Sequence, residues 1–162
     1  MHNNRIWNRP TALAVALSSV LFATAVRAQK SDDRTPAAVP LPPPFRLADA
    51  KWGEPYSGPL GFPKGAQRVS LGTDPRTGGE TYYARFPAGT RFAPHWHAHG
   101  EYAVVLRGRV THVLGKERHL LVVGDYVVVP AKVPHGWEVD PGDDVYLLIR
   151  RDGPADFNFV GR

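Results

Sequence analysis

With 162 residues, no cysteine and 43% hydrophobic residues, the chain is long enough for one domain with a real core, and it can hold neither a disulfide nor a thiolate metal site. Its formal charge of +5 looks basic, yet Arg5, Arg9 and Arg27 lie in the first 28 positions, where there is no acid, so the remainder sets 17 bases against 15 acids. No basic cluster interleaved with aromatics follows, which argues against a nucleic-acid partner or a membrane surface.

Residues 1–28 predict a signal peptide. Arg5 and Arg9 open it, an apolar run from Thr11 to Val26 follows, and Val26-Arg27-Ala28 offers small or modest residues before a cut at Gln29. The apolar run is shorter than the ~20 residues a membrane span needs. The expected location is periplasmic or secreted, with no membrane contact after cleavage. Residues 29–44 (QKSDDRTPAAVPLPPP) are polar and then proline-rich, and read as an extended linker. Residues 45–66 mix short apolar pieces with Gly and Pro, and are expected to wrap the domain with Trp52 packed against it.

The domain itself is expected over 67–162. The chain's 16 Gly and 16 Pro largely separate short apolar runs, which favours many short strands over long helices. Strands are predicted at 67–71, 80–86, 91–97, 101–106, 109–114, 117–123, 126–130, 135–139, 145–150 and 157–160, rich in Val, Tyr, Phe and Thr and bounded by turn residues such as Asp74-Pro75 and Pro141-Gly142-Asp143. The fold class is all-β.

Within that pattern one stretch carries chemistry. In Gly89–Gly108 (GTRFAPHWHAHGEYAVVLRG), His95 and His97 stand two apart on an expected strand, so both imidazoles point to one face. A turn at Ala98-His99-Gly100 folds the chain back and lets Glu101 add a carboxylate from the next strand. Gly124–Trp137 (GDYVVVPAKVPHGW) then brings a third histidine, His135, at the start of another strand. Neutral nitrogens and one anionic oxygen are the donors that a divalent transition metal takes when thiolates are absent.

Gly89, five residues, His95, one, His97, three, Glu101, six, Gly108 resembles the first signature of the cupin superfamily at every fixed position. Gly124, five residues, Pro130, then His135 resembles the second. The fifteen residues between Gly108 and Gly124 match the spacing of small bacterial cupins, and PHWHAHGEY is similar to the metal strand of oxalate decarboxylases and quercetin-dioxygenase-like cupins. Lys132 stands where the second signature has a glycine, and Val139 where it ends in asparagine. The resemblance implies a double-stranded β-helix, or jelly-roll, barrel. It also implies one metal (Mn, Fe, Ni, Cu or Zn) held by His95, His97, Glu101 and His135.

Four such ligands on a six-coordinate ion leave two adjacent positions for water, oxygen or a small bidentate molecule. Together with the resemblance, this points to an exported dioxygenase-type oxidoreductase acting on a small oxygenated organic substrate, with oxalate decarboxylase or oxidase chemistry as the runner-up. The alternative is a non-catalytic periplasmic cupin that binds or senses a metal or small ligand. Trp137 shares a face with His135 and is expected to line the substrate pocket. His99 falls in the turn, as an exposed residue or a rim residue. His112 and His119 lack a partner pattern and are expected at the surface. Tyr83 and Arg85 share one strand face and Tyr82 the other, and the period of two does not say which turns inward. Cupins commonly dimerise through an outer sheet, and strands apolar on both faces permit a homodimer.

Overall fold

The computed structural model describes residues 43–58 and 61–161. The expected signal peptide and the linker up to residue 42 lie outside them. Ten strands follow in order: β1 (Gln67–Thr73), β2 (Glu80–Phe86), β3 (Arg91–Trp96), β4 (Glu101–Arg107), β5 (Val110–Leu114), β6 (Glu117–Leu121), β7 (Tyr126–Val129), β8 (His135–Glu138), β9 (Val145–Arg151) and β10 (Asn158–Phe159). Each predicted strand is present, with ends shifted by a residue or two. β6 stops two residues early, because the Asp125 carboxylate accepts the Val122 N–H at 2.8 Å and Asp125 N–H donates to Val122 O at 3.0 Å. Residues 122–125 therefore close a turn instead of extending the ladder.

The strands form two five-stranded sheets, β1-β2-β9-β4-β7 and β10-β3-β8-β5-β6, and every pairing is antiparallel. This is the jelly-roll arrangement, two sheets closed around one interior. Strand parity decides what fills it. On β2, Tyr82, Ala84 and Phe86 are buried while Tyr83 and Arg85 alternate outward. On β9 the inward set is Val145, Leu147, Ile149 and Arg151, and on β4 it is Glu101, Ala103 and Val105. Phe92, Val110 and Trp137 complete the core from the other sheet. Full burial of each large apolar side chain is worth about 1.5–3 kcal/mol, so the barrel has an apolar core that does not depend on the polar groups of the site.

Outward residues meet the N-terminal segment. Phe45 sits edge-on to Tyr83 at 6.1 Å and Trp52 edge-on to Tyr146 at 5.5 Å. Gly53 N–H donates to Arg68 O and Tyr56 N–H to Ala66 O. Arg85 pairs with Asp144 at 2.6 Å on the same outer face.

Candidate metal centre

The centre is built where β3, β4, β8 and β9 end together. The ladder between β3 and β8 shifts register between Phe92 and His95, and there His95 stands directly opposite His135. That irregularity resets the parity of β3, so Phe92, His95 and His97 are all buried although they are not evenly spaced. Gly136, between His135 and Trp137, allows the close approach. A Cβ there would lie 2.8 Å from Phe92 O.

His95, His97 and His135 bring one ligand nitrogen each to within 4.8 Å of one another, all three side chains buried. Their outward nitrogens are each tied to a peptide carbonyl: His95 Nδ1 to Ala93 O at 2.8 Å, His135 Nδ1 to Val133 O at 3.1 Å, and His97 Nδ1 to Asp156 O. A carbonyl only accepts, so each Nδ1 carries a hydrogen, and in the neutral imidazole that a metal takes each Nε2 keeps its lone pair aimed inward. Phe92 stacks on the His95 ring at 4.2 Å and Phe157 meets the His97 ring edge-on at 5.0 Å, fixing the planes. Burial, with the neighbouring His135 adding to it, pushes the His95 imidazole down to about 3, so it is neutral at any ordinary pH.

Glu101 faces this trio. Its Oε2 lies 3.4 Å from His97 Nε2 and its Oε1 3.6 Å from His135 Nε2. Burial alone would push the carboxyl up. The contacts with His135 and His97 and the Arg151 guanidinium outweigh it and hold Glu101 well below the usual carboxylate range. His135 Nε2 is buried without a hydrogen-bond partner. Bare lone pairs facing a carboxylate repel unless a proton or a cation stands between them, and ligands on a common ion with bonds of about 2.1 Å are about 3.0–3.4 Å apart. The donor set therefore fits a divalent transition metal.

A second charge was hidden from the sequence reading. Arg151, only 2% exposed, places Nη2 3.2 Å from Glu101 Oε2, 3.3 Å from His97 Nε2 and 3.2 Å from the Tyr82 hydroxyl oxygen. The strand was expected to stop at residue 150, which left Arg151 outside it. Continuing the inward series Val145, Leu147, Ile149 by one step would have found it.

A cavity of about 40 Å³ adjoins the centre, walled by Phe86, Phe92, Trp137, Ile149 and Phe157, with Tyr82, Glu101 and Arg151, and from β1 Gln67 and Arg68, as its polar groups. Trp137 is thus placed on the pocket, and of the open pair of faces on β2 it is Tyr82 that turns inward. The three histidines are not in the cavity wall. Glu101 and Arg151 are the charged groups that touch both the cavity and the histidines.

The other histidines divide. His99 is exposed in the bend at 98–99, its ring lying against Gly153, where no side chain would fit. His119 is exposed beside Glu117. The expectation that His112 lies at the surface is wrong: it is 0% exposed, its ring packs tilted against Trp137 at 4.4 Å, and neither ring nitrogen has a partner. Its parity with buried Val110 was the missed signal.

Residues 82–149 match the sequence profile of the cupin domain family. The barrel is a cupin domain. Solved structures agree on the fold. KdgF from a Halomonas species is 22% identical, with 67% of this chain and 91% of that one aligned at a TM-score of 0.54. A cupin 2 conserved barrel protein from Rhodopseudomonas palustris is 21% identical, with 67% and 77% aligned at 0.57. The polyketide cyclase RemF from Streptomyces resistomycificus is 19% identical, with 75% and 87% aligned at 0.58. No curated protein is similar enough to count as a relative. One departure from the cupin signature resolves in the structure. Lys132, in the glycine's place, adopts φ 64°, the sole positive φ at a non-glycine among the described residues, and its N–H donates to His97 O at 2.8 Å. The cupin turn keeps its left-handed geometry with a residue that tolerates it poorly.

Proposed function

We propose that this cupin is an exported mononuclear metal protein that takes up a small oxygenated organic molecule and oxidises it in a dioxygenase-type reaction. His95, His97, His135 and Glu101 would hold the metal, one of Mn, Fe, Ni, Cu or Zn. When bound, a redox-active ion supplies the electron transfer to oxygen that no side chain here can perform. The observation that carries the reading is the trio of Nδ1–carbonyl bonds, which leaves three bare Nε2 atoms converging on a carboxylate. The chain's own residues do the rest. Phe92 and Phe157 keep the imidazoles in plane, and Trp137 with the phenylalanines excludes water from the cavity.

The non-catalytic binding alternative has one observation in its favour. Among the cavity residues the only carboxylate, Glu101, is already engaged by Arg151, and burial pushes the Tyr82 hydroxyl up out of the range of an acid or base near neutral pH. Elemental analysis of protein purified from the producing cell, followed by oxygen-uptake assays with flavonols, diketones, oxalate and catechols, separates the two. A redox-active metal near one per chain with substrate-dependent uptake supports the enzyme. Metal without uptake supports the binding protein, and absence of metal refutes the enzyme and leaves of the alternative only a small-ligand binder. The amino terminus of the same material tests export, with Gln29 expected first.

A further inference from the structure

Arg151 is a buried charge that metal binding alone does not use. Its guanidinium and the Glu101 carboxylate are by themselves a neutral pair. A divalent ion at the histidines turns the same cluster into a net double positive charge in a dry interior, where unpaired charge costs several kcal/mol. The cluster then calls for an anion, and the open side is the cavity that Arg151 and Glu101 both line.

The donors fit this. Nη1 of Arg151 donates to Asp156 O at 3.2 Å, whereas Nη2 has two hydrogens for three acceptors: Glu101 Oε2, the Tyr82 hydroxyl oxygen and His97 Nε2. Nε is buried and has no partner. The Tyr82 hydroxyl accepts from Nη2, and no described residue accepts its own hydrogen. An ion at His97 removes one of the three acceptors. Nε–H and Tyr82 O–H then remain as two donors without acceptors beside a cavity walled mainly by aromatic and aliphatic side chains, with Gln67 and Arg68 on its lining as well. We infer that the site selects a small monocarboxylate, its carboxylate held between the metal, Arg151 and the Tyr82 hydroxyl and its apolar body against Phe86, Phe92 and Trp137. The cavity's size admits only a few heavy atoms. This rests on the metal reading above.

The test uses the mature chain loaded with cobalt(II), whose visible bands report a new ligand, with cobalt content fixed first by elemental analysis. The probes are propionate and its neutral isostere propionamide. Propionate is expected to shift the bands saturably, and propionamide to leave them unchanged at equal concentration. Arg151→Gln, which removes a charge-assisted contact, should raise the propionate Kd at least about tenfold, with partial recovery in Arg151→Lys. Tyr82→Phe should raise it about 2–10-fold. If Arg151→Gln loses its fold by circular dichroism, Tyr82→Phe decides the matter, since it deletes one hydroxyl. Equal response to both probes, or an unchanged propionate Kd in the variants, overturns the carboxylate assignment while leaving the metal site standing. No cobalt uptake removes the metal reading and this assignment together.

Discussion

Replacing His112 by leucine should make this protein more stable, and more so in acid. The imidazole is fully buried with both nitrogens unpartnered. Burial, with His135 adding to it, pushes its pKa from 6.5 down to about 4. The native state thus refuses a proton that the unfolded chain accepts below about pH 6.5, so this residue costs no stability through protonation above that pH and progressively more as pH falls towards 4. At about 1.4 kcal/mol per pH unit, the step from pH 7 to pH 5 costs about 2 kcal/mol, and the full loss approaches about 3 kcal/mol. Leucine has a similar volume, abolishes that loss and removes two orphaned polar atoms, whose desolvation costs about 1–3 kcal/mol. His112→Leu should therefore gain about 2 kcal/mol at pH 7 and about 4 kcal/mol at pH 5. Urea unfolding in the presence of a chelator measures it. At a typical slope of 1–3 kcal/mol per molar, the midpoint at pH 7 should rise by about 1 M. His95 titrates alike in both proteins and drops out of the difference. An unchanged midpoint at pH 7, together with the same loss on going to pH 5, would refute the account of this interior as dry and partnerless around His112.

His97→Ala and His135→Ala should each weaken metal binding by at least about 100-fold with little change in far-ultraviolet circular dichroism, because the barrel has its own core; competition with a chromophoric chelator reads the affinity. Zinc at 1,000 times its Kd should add about 4 kcal/mol of stability to the wild type by mass action, seen as a raised melting temperature, and no such gain in either alanine variant. Lys132→Gly should stabilise by about 0.5–1 kcal/mol, since φ 64° suits glycine and strains lysine, and a thermal melt checks it. Gly136→Ala should destabilise by about 1–3 kcal/mol and lower metal content, because the added methyl meets Phe92 O and pushes β8 and His135 away from β3.

Much of this was legible one residue at a time. Short runs of Val, Tyr and Phe between turn residues placed the ten strands, because strand formation and turn chemistry are local. The His95-His97-Glu101 spacing and the third histidine at His135 were visible for the same reason. What escaped lay at strand ends and on uncertain faces. Arg151 was cut off by one residue. His112 was judged without the parity that Val110 supplied, and Tyr82 could not be told from Tyr83 because alternation has two solutions until a second sheet covers one of them.

By itself, then, the order of residues settled the strands, the donors and the absence of any sulfur ligand, all of which follow from neighbours within a few positions. Only the folded chain decided which nitrogen of each imidazole is bare, because the carbonyls that set it belong to Ala93, Val133 and the distant Asp156. It alone set Arg151 against Glu101, fifty positions away, since β4 and β9 are neighbours only in the sheet. A charge balance among groups remote in sequence depends on distance in space, and no local pattern carries that.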